Sequence, residues 1–284
     1  MSFGTFVPEI WSSVLLASLK KAHVYAGVFN KDYEGEIAQS GDTVHINSVS
    51  RPTVNTYTVG QAITVQQLSA ADRTLVIDQA DYFAFEVDDI DKRQAAGAIL
   101  EQAMVEAAYA MADKHDIFLS GKYADVQAAN KLNAGVAVPI TTGAIAYTQL
   151  TKIKQKLDEA NVPMNARFGI LPPWMYALLL DSTNFAANPA ANVDSALLSG
   201  QIGRAAGIDI LVSNNVPTSP FGQPATTYAV LAGVPSALAG AEQINQVEAY
   251  RLQTTFADAL RGLHLYGGKT IRPDAIAVLP ASTV

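Results

Sequence analysis

The amino-acid sequence predicts an α+β fold, because two kinds of apolar pattern follow one another along the chain. Apolar and polar residues alternate from Tyr82 to Val87, which is typical of a strand with one buried face. From Ala95 to Ala112 the apolar residues recur at three- and four-residue steps, as they do in a helix with an apolar stripe.

The long helix is predicted to run from about Asp89 to Lys114, roughly 40 Å at 1.5 Å per residue. Asp88, Asp89 and Asp91 lie where a helix start favours side-chain acceptors and negative charge. Lys114 and His115 lie at the predicted other end, where basic residues are favoured. The predicted apolar stripe consists of Ala96, Ile99, Leu100, Ala103, Ala107, Ala110 and Met111.

The part of the chain before this helix is predicted to be an arm followed by strands and turns. Residues 1–38 form the expected arm, with a short helix around Ile10–Ala22. The residues from there to Val87 favour strands. Their turn candidates are Arg51–Pro52, Gly60–Gln61 and Ser69–Asp72. Because the middle of this stretch has few large apolar residues, it cannot form its own core and must lie on another surface.

After the long helix, loops with short elements are predicted, and a compact α/β unit then spans residues 147–231. Its first helix has an apolar stripe formed by Leu150, Ile153 and Leu157. Pro172–Pro173 indicates the start of a second helix, since proline is tolerated in a helix's first turn. The predicted strands of this unit are Arg167–Leu171, Ile208–Ser213 and Thr227–Ala232.

Composition favours a chain whose surface is largely covered by other subunits. Charged residues make up 16% of the sequence and hydrophobic residues 49%, whereas ordinary soluble proteins carry roughly 25% charged residues. A soluble α+β enzyme with an unrecognised site and a small polar shell is the alternative. The net charge of −7 argues against a dedicated nucleic-acid binder, because phosphate affinity comes from clustered Lys and Arg.

No targeting or membrane segment is predicted. The apolar run Trp11–Leu19 follows Glu9 and precedes Lys20–Lys21, which reverses the charge order of a signal peptide. No stretch approaches the roughly 18 apolar residues that a membrane-spanning helix needs. The sequence has no cysteine, which excludes disulfides and fits a reducing cytoplasm.

The sequence contains no recognisable catalytic, cofactor-binding or metal-binding motif. The four histidines are His23, His45, His115 and His264. They have no metal-ligand spacing, so we predict surface or packed histidines. One acidic cluster could attract a divalent cation, but helix capping already explains its carboxylates. It consists of Glu86, Asp88, Asp89 and Asp91. We therefore expect no enzyme activity, no cofactor and no metal ion.

Two segments together resemble the major capsid protein of tailed double-stranded DNA bacteriophages, which has the Hong Kong 97-type fold. The first is the strand, acidic turn and long helix that begin at Leu75. The second is Phe256–Lys269 followed by the Arg-Pro-Asp-Ala-Ile run at Arg272–Ile276. The resemblance covers nearly the whole chain. It implies an N-terminal arm at 1–38, an extended β-hairpin loop at 39–84, a peripheral domain with a long spine helix at 85–140, an axial α/β domain at 141–231 and the C-terminal part of the peripheral domain at 232–284.

This resemblance implies a structural function. Many copies would form the pentamers and hexamers of an icosahedral head that encloses the double-stranded DNA genome without sequence-specific binding. It also implies a portal at one vertex, a decoration protein, and a place in the virion after assembly in the host cytoplasm. Because the extended loop already begins near Gly41, we expect a separate scaffolding protein. The nearest alternative shares the fold and is an encapsulin-like nanocompartment shell.

The extended loop departs from the family's best-known member, whose mature shell is joined by bonds between a loop lysine and a neighbour's asparagine. Residues 42–91 contain no lysine, and their basic residues are His45, Arg51 and Arg73. A guanidinium stays protonated and cannot act as the amine nucleophile. We therefore expect no covalent links between loop and neighbour. Arg51 and Arg73 are the candidates for charged pairing at the subunit interface, with simple solvation as the alternative.

Overall fold

A computed structural model describes residues 24–32, 43–49, 52–56, 59–60, 62, 65–67, 70–88, 98–181, 203–252 and 257–283. Helices and strands are mixed along this part of the chain, so the predicted α+β class is confirmed. The strands form a two-stranded, a three-stranded and a six-stranded sheet.

The strands in chain order are β1 (Thr43–Val49), β2 (Ala70–Val76), β3 (Gln79–Asp88), β4 (Val138–Pro139), β5 (Phe168–Leu171), β6 (Arg204–Ala205), β7 (Ile208–Val212), β8 (Thr227–Gly233), β9 (Leu238–Arg251), β10 (Ala257–Thr270) and β11 (Ile276–Ser282). The α-helices are α1 (Ala98–Ser120), α2 (Gly143–Glu159) and α3 (Pro173–Leu180). Short 3-10 helices lie at Gly121–Asp125, Ala128–Asn130, Leu132–Gly135, Pro220–Gly222 and Pro235–Ala237.

The three-stranded sheet is antiparallel, in the order β3-β10-β9, and α1 packs against one of its faces. Phe83 and Phe85 point towards this helix, whereas Tyr82 lies on the opposite, exposed side of β3. The predicted one-sided strand is therefore confirmed. The contact between helix and sheet is apolar and is formed by Met104, Ala108, Met111, Ala112, Val247 and Leu260.

Helix α1 continues six residues beyond the predicted end at Lys114, because its buried side also continues as far as Leu119. The predicted stripe has the wrong phase as well, since Met111 is buried but Ala110 is exposed. Alanines on several sides of the helix make the direction of the apolar face ambiguous in the sequence. Asp88 is the last residue of β3, and the other predicted capping residues lie outside the described ranges.

The six-stranded sheet has the order β4-β11-β8-β5-β7-β6. Leu150, Ile153 and Leu157 of α2 are fully buried in its core, which confirms the predicted stripe. Pro172 occupies the N-cap of α3 and Pro173 its first turn, so the predicted start of this helix is also confirmed. The three predicted strands correspond to β5, β7 and β8.

The chain passes between the two larger sheets three times. It goes from β3 of the three-stranded sheet to β4 of the six-stranded sheet, leaves the six-stranded sheet after β8 to form β9 and β10, and returns as β11. Strand β11 pairs with both β8 and β4, whereas the family resemblance assigns all of residues 232–284 to the peripheral domain. Residues 24–32 lie where the sheets meet, with Tyr25 and Phe29 buried and Asn30 bridged to Ala239.

Strands β1 and β2 form a separate antiparallel hairpin, paired from Thr43↔Val76 to Val49↔Ala70. Gly60 lies in a turn with φ +90°, which confirms one predicted turn. The turn predicted at Ser69–Asp72 is wrong, because pairing with β1 extends β2 back to Ala70. Small and polar residues are compatible with a strand when its partner completes the hydrogen bonds.

Strand β10 passes very close to the link between β2 and β3. A Cβ atom on Gly267 would lie 2.4 Å from the backbone oxygen of Val76 and 3.0 Å from the Cα of Ile77. Both neighbours are backbone atoms and cannot rotate away. This close approach accompanies the burial of Leu75 and Ile77 beside Leu265.

We therefore predict that Gly267→Ala destabilises the unassembled subunit by at least about 2 kcal/mol, as expected when a packed site is overfilled. The free energy of unfolding is measured by urea denaturation. Gly121→Ala is the matched control, because a Cβ there would meet nothing within 4 Å. Equal stability of the two variants would contradict the prediction.

Candidate subunit-interaction surfaces

The face of the three-stranded sheet that α1 leaves uncovered is the first candidate surface, called here the open sheet face. It contains a depression of about 460 Å³. The depression is lined by Tyr82, Ala84, Glu248, Tyr250, Arg261, Gly262 and Leu263. Aromatic residues and arginine are enriched at protein interfaces, and this lining contains two tyrosines and one arginine.

Charged groups on the open sheet face are already arranged within the subunit. Arg261 donates from Nη2 to Oε2 of Glu248 at 2.5 Å, and the register places these residues opposite each other on β10 and β9. The guanidinium also lies 5.1 Å from the ring centroid of Tyr250. These contacts hold a flat cation and an aromatic ring side by side at the surface.

The far end of the β1–β2 hairpin is the second candidate surface, called here the hairpin tip (residues 52–67). Val54, Val59 and Val65 are 93%, 90% and 87% exposed. The backbone N–H of Thr53 donates to Oε1 of Gln66 at 2.9 Å, which links the two sides of the tip. The described tip residues are all exposed, so the three valines are not packed against the described part of the subunit.

The outer side of α1 is the third candidate surface. Val105, Tyr109 and Ile117 are all about half exposed or more, although the other side of the same helix is packed on the sheet. A helix with apolar residues on two opposite sides is typical of one that packs against other protein surfaces on both of them.

The two interface arginines predicted from the sequence have different outcomes. Arg51 lies outside the described residues. Arg73 is half-buried on β2, and its Nη1 atom donates to the backbone oxygen of Thr270 at 3.4 Å. Its guanidinium therefore contacts its own subunit at the base of the hairpin. The role of either arginine between subunits stays a prediction.

Glu242 is the centre of a buried polar cluster between α1, β9 and β10. The Nδ1 atom of His115 lies 3.3 Å from its Oε2 atom, and Nε2 of His264 lies 3.8 Å from the same oxygen. Lys31 forms an ion pair with the other oxygen, Oε1. Burial acts to raise the pKa of Glu242, but the bonds from His115 and Lys31 outweigh it and hold this pKa well below its usual range.

A second polar group adjoins this cluster. Tyr266 donates its hydroxyl to Oδ2 of Asp81 at 2.5 Å, and Lys114 forms an ion pair with Oδ1. The Tyr266 ring lies 4.6 Å from that of His115, between centroids. Lys114 and His115 therefore lie inside α1 and connect it to the sheet. The prediction that they mark the end of the helix is wrong.

Asp116 fastens the 24–32 segment to α1. Its Oδ1 atom accepts from the backbone N–H groups of Val24 and Tyr25 at 3.1 and 2.7 Å. Its Oδ2 atom accepts from Nδ2 of Asn215 at 3.3 Å, which lies just after β7. Burial raises the pKa of Asp116 although these hydrogen bonds act to lower it. One carboxylate therefore joins three distant parts of the chain.

Sequence reasoning missed most of these residues. The outward position of Tyr82 could have been found, because it follows from the period of two that predicted β3. The histidine cluster could not, since His115, Glu242 and His264 belong to elements far apart in the sequence. Of the predicted acidic cluster, Glu86 is exposed on β3, while Asp89 and Asp91 lie outside the described ranges.

Among the helices that the structure describes, none is both long and apolar enough to cross a membrane.

Comparison with known proteins identifies the class. Residues 72–279 match the family model described as phage capsid protein, which is well over half of the 284-residue chain. The match and the fold define a structural protein of a capsid shell. The chain belongs to the phage capsid protein family, as the resemblance of its two segments predicted. A search of curated proteins finds no significant match.

Solved structures agree with this assignment. A chain from Mycobacterium phage Che8 is 30% identical, with 98% of each chain covered and a TM-score of 0.74. A capsid chain of the cyanophage P-SCSP1u is 16% identical, with coverage of 100% and 91% and a TM-score of 0.74. A virus-like particle from Pyrococcus furiosus has the same fold at 14% identity, with coverage of 97% and 100% and a TM-score of 0.56.

We predict that Asp116→Ala destabilises the unassembled subunit by at least about 2 kcal/mol, because it leaves several N–H donors without their acceptor. It should also accelerate tryptic cleavage at Lys31, in the segment that Asp116 fastens. Asp209→Ala is the control, since the Asp209 side chain forms an exposed ion pair with Arg204 at 3.4 Å, and a pair of this kind is worth less than about 1 kcal/mol.

Urea denaturation and timed proteolysis provide the two measurements. If Asp116→Ala and Asp209→Ala behaved alike in both, Asp116 would not have the fastening role assigned to it.

Proposed function

We propose that this chain is the major capsid subunit of a tailed phage, with the Hong Kong 97-type architecture. Its copies form the pentamers and hexamers of an icosahedral head that encloses the double-stranded DNA genome. Membership of the phage capsid protein family supports the proposal. The observation that carries it furthest is the hairpin tip, because its valines are almost fully exposed and are not packed against the part of the subunit that the structure describes.

The proposed domains follow the two larger sheets. For the first half of the chain we propose the bounds that the family resemblance implies: an arm at 1–38, an extended loop at 39–84 and a spine-helix part at 85–140. The axial domain is 141–231, and we add β11 to it because β11 pairs with β8. The rest of 232–284, with β9 and β10, belongs to the peripheral domain together with β3 and α1.

The hairpin tip is proposed to lie on a neighbouring subunit. Three exposed valines would each bury apolar surface there, at about 25 cal/mol per Å². Exposed apolar patches of this kind mark interaction sites. Such a contact repeats around every ring of subunits, so a small contribution per copy is multiplied by the symmetry of the shell.

We therefore predict that the double variant Val54→Ser, Val65→Ser folds normally but does not close shells. Folding is unaffected because both side chains are almost fully exposed in the subunit, whereas assembly loses their burial. Circular dichroism and thermal unfolding test the fold, and negative-stain microscopy with sedimentation tests assembly.

Val136→Ser is the matched control for this experiment. Val136 is 52% exposed but lies far from the hairpin in the sequence, on the segment before β4. Normal particles from the double variant would show that the tip does not provide an essential subunit contact.

The contents of the particles distinguish this proposal from its alternative. An encapsulin-like shell would enclose protein, whereas a phage head protects DNA from nuclease. The net charge of −7 suits a wall that encloses DNA without binding it tightly. A soluble enzyme would form only small oligomers, so the size of the particles excludes it in the same experiment.

The proposed partners follow from the family. They are a separate scaffolding protein, a portal at one vertex and a decoration protein, and assembly takes place in the host cytoplasm. Arg51 and Arg73 are proposed to pair with charges of neighbouring subunits. One donor of Arg73 contacts Thr270, and a guanidinium has five N–H donors, so others are available for a partner.

We predict that mature particles contain no covalent loop-to-neighbour links, because residues 42–91 contain no lysine to supply an amine. Denaturing electrophoresis of the particles should give a single band at 30.1 kDa. A ladder of covalent multimers would contradict the prediction, and mass spectrometry of its peptides would locate the bond.

A further inference from the structure

Three side chains of metal-ligating type converge inside the subunit from three different elements. His115 lies on α1, Glu242 on β9 and His264 on β10. One ligand atom from each lies within 4.8 Å of those of the other two. Nδ1 of His115 lies 3.3 Å from Oε2 of Glu242, and Nε2 of His264 lies 3.8 Å from the same oxygen.

The surroundings of this cluster exclude bulk water and limit its movement. The side chains of His115, Glu242 and His264 are 2%, 10% and 0% exposed. The Tyr266 ring packs on both imidazoles, at 4.6 and 5.1 Å between centroids. A cavity of about 10 Å³ adjoins His115 and Glu242, close to the smallest that holds one water molecule.

We propose that His115, Glu242 and His264 form a binding site for one divalent transition-metal ion, with Zn²⁺ as the best fit. Two imidazoles and a carboxylate are a common ligand set for zinc, and a water molecule can complete the tetrahedron. Ligand bonds of about 2.0–2.1 Å would place the ligand atoms roughly 3.4 Å apart. The observed separations of 3.3 and 3.8 Å from Glu242 Oε2 are close to this value. The ligand atoms of the two histidines lie within 4.8 Å of each other, and metal binding would bring them to the tetrahedral separation.

The ligand types select among metals. Ca²⁺ and Mg²⁺ prefer six or more oxygen ligands, whereas imidazole suits zinc, copper and nickel. Lys31 contacts Oε1 of Glu242 and leaves Oε2 facing the histidines. Its ammonium group fixes the carboxylate but repels a metal cation, so Lys31 lowers the affinity of the site. A bound ion would tie α1 to β9 and β10.

The first experiment uses tag-free, chelator-treated subunit and titrates ZnCl₂ or CoCl₂ alone. We expect one ion per chain, a rise in Tm that chelator reverses, and the intense visible spectrum of tetrahedral cobalt. A weak, octahedral cobalt spectrum or a stoichiometry well below one would overturn the proposal.

The second experiment compares variants at the site. His115→Gln and His264→Gln should each weaken zinc binding by at least roughly tenfold, and His45→Gln, on β1, should leave it unchanged. Lys31→Gln should tighten zinc binding severalfold, which a purely structural histidine cluster would not do. Circular dichroism checks that each variant is folded.

If a histidine variant does not fold, the cobalt spectrum of the wild-type subunit and the effect of Lys31→Gln decide the question. If the folded histidine variants bound zinc with unchanged affinity, any bound metal would belong to the surface and the site would be refuted. The same holds if Lys31→Gln did not increase the affinity for zinc.

Discussion

The close approach of other elements to β10 is the constraint on which the arrangement of the subunit depends. This strand is paired on both edges and also lies against Phe83, the β2–β3 link and α1. A Cβ on Gly262, Gly267 or Gly268 would lie 2.2, 2.4 or 2.7 Å from a neighbouring atom. The absence of side chains at these positions lets the hairpin, the sheet and the long helix pack around one strand.

Buried polar groups then fix how these parts are placed relative to one another. Apolar contacts have no preferred direction, but Asp116 and Glu242 each need donors at defined positions, because a buried carboxylate without partners is costly. Asp116 takes its donors from the 24–32 segment and from Asn215. Glu242 takes its own from Lys31 and His115. The junction of the two larger sheets is therefore specified more closely than apolar contacts alone would require.

The same subunit leaves apolar groups on its surface where this internal packing ends. The hairpin tip, the outer side of α1 and the open sheet face all carry large apolar or aromatic side chains. A protein that remained a monomer would gain nothing from them, and we propose that they are buried between copies of the capsid subunit. The low content of charged residues, 16%, is consistent with this proposal.

The sequence by itself determined those elements whose large apolar residues have one clear period, together with the family. Leu150, Ile153 and Leu157 fixed the buried side of α2, the alternation around Phe83 and Phe85 fixed that of β3, and Pro172–Pro173 fixed the start of α3. These signals are local, so no tertiary contact was needed to interpret them. Arg51 and Arg73 were candidates of another kind, because a partner subunit decides their role.

Only the tertiary structure decided the phase and the end of α1, the sheet to which β11 belongs, and the meeting of His115, Glu242 and His264. Alanine packs equally well on several sides of a helix, so the buried side of α1 is chosen by the sheet it contacts. The sequence of β11 does not indicate which sheet it joins, and only its observed pairing with β8 and β4 shows this. The histidine cluster depends on three elements coming together, and distance along the chain carries no information about that.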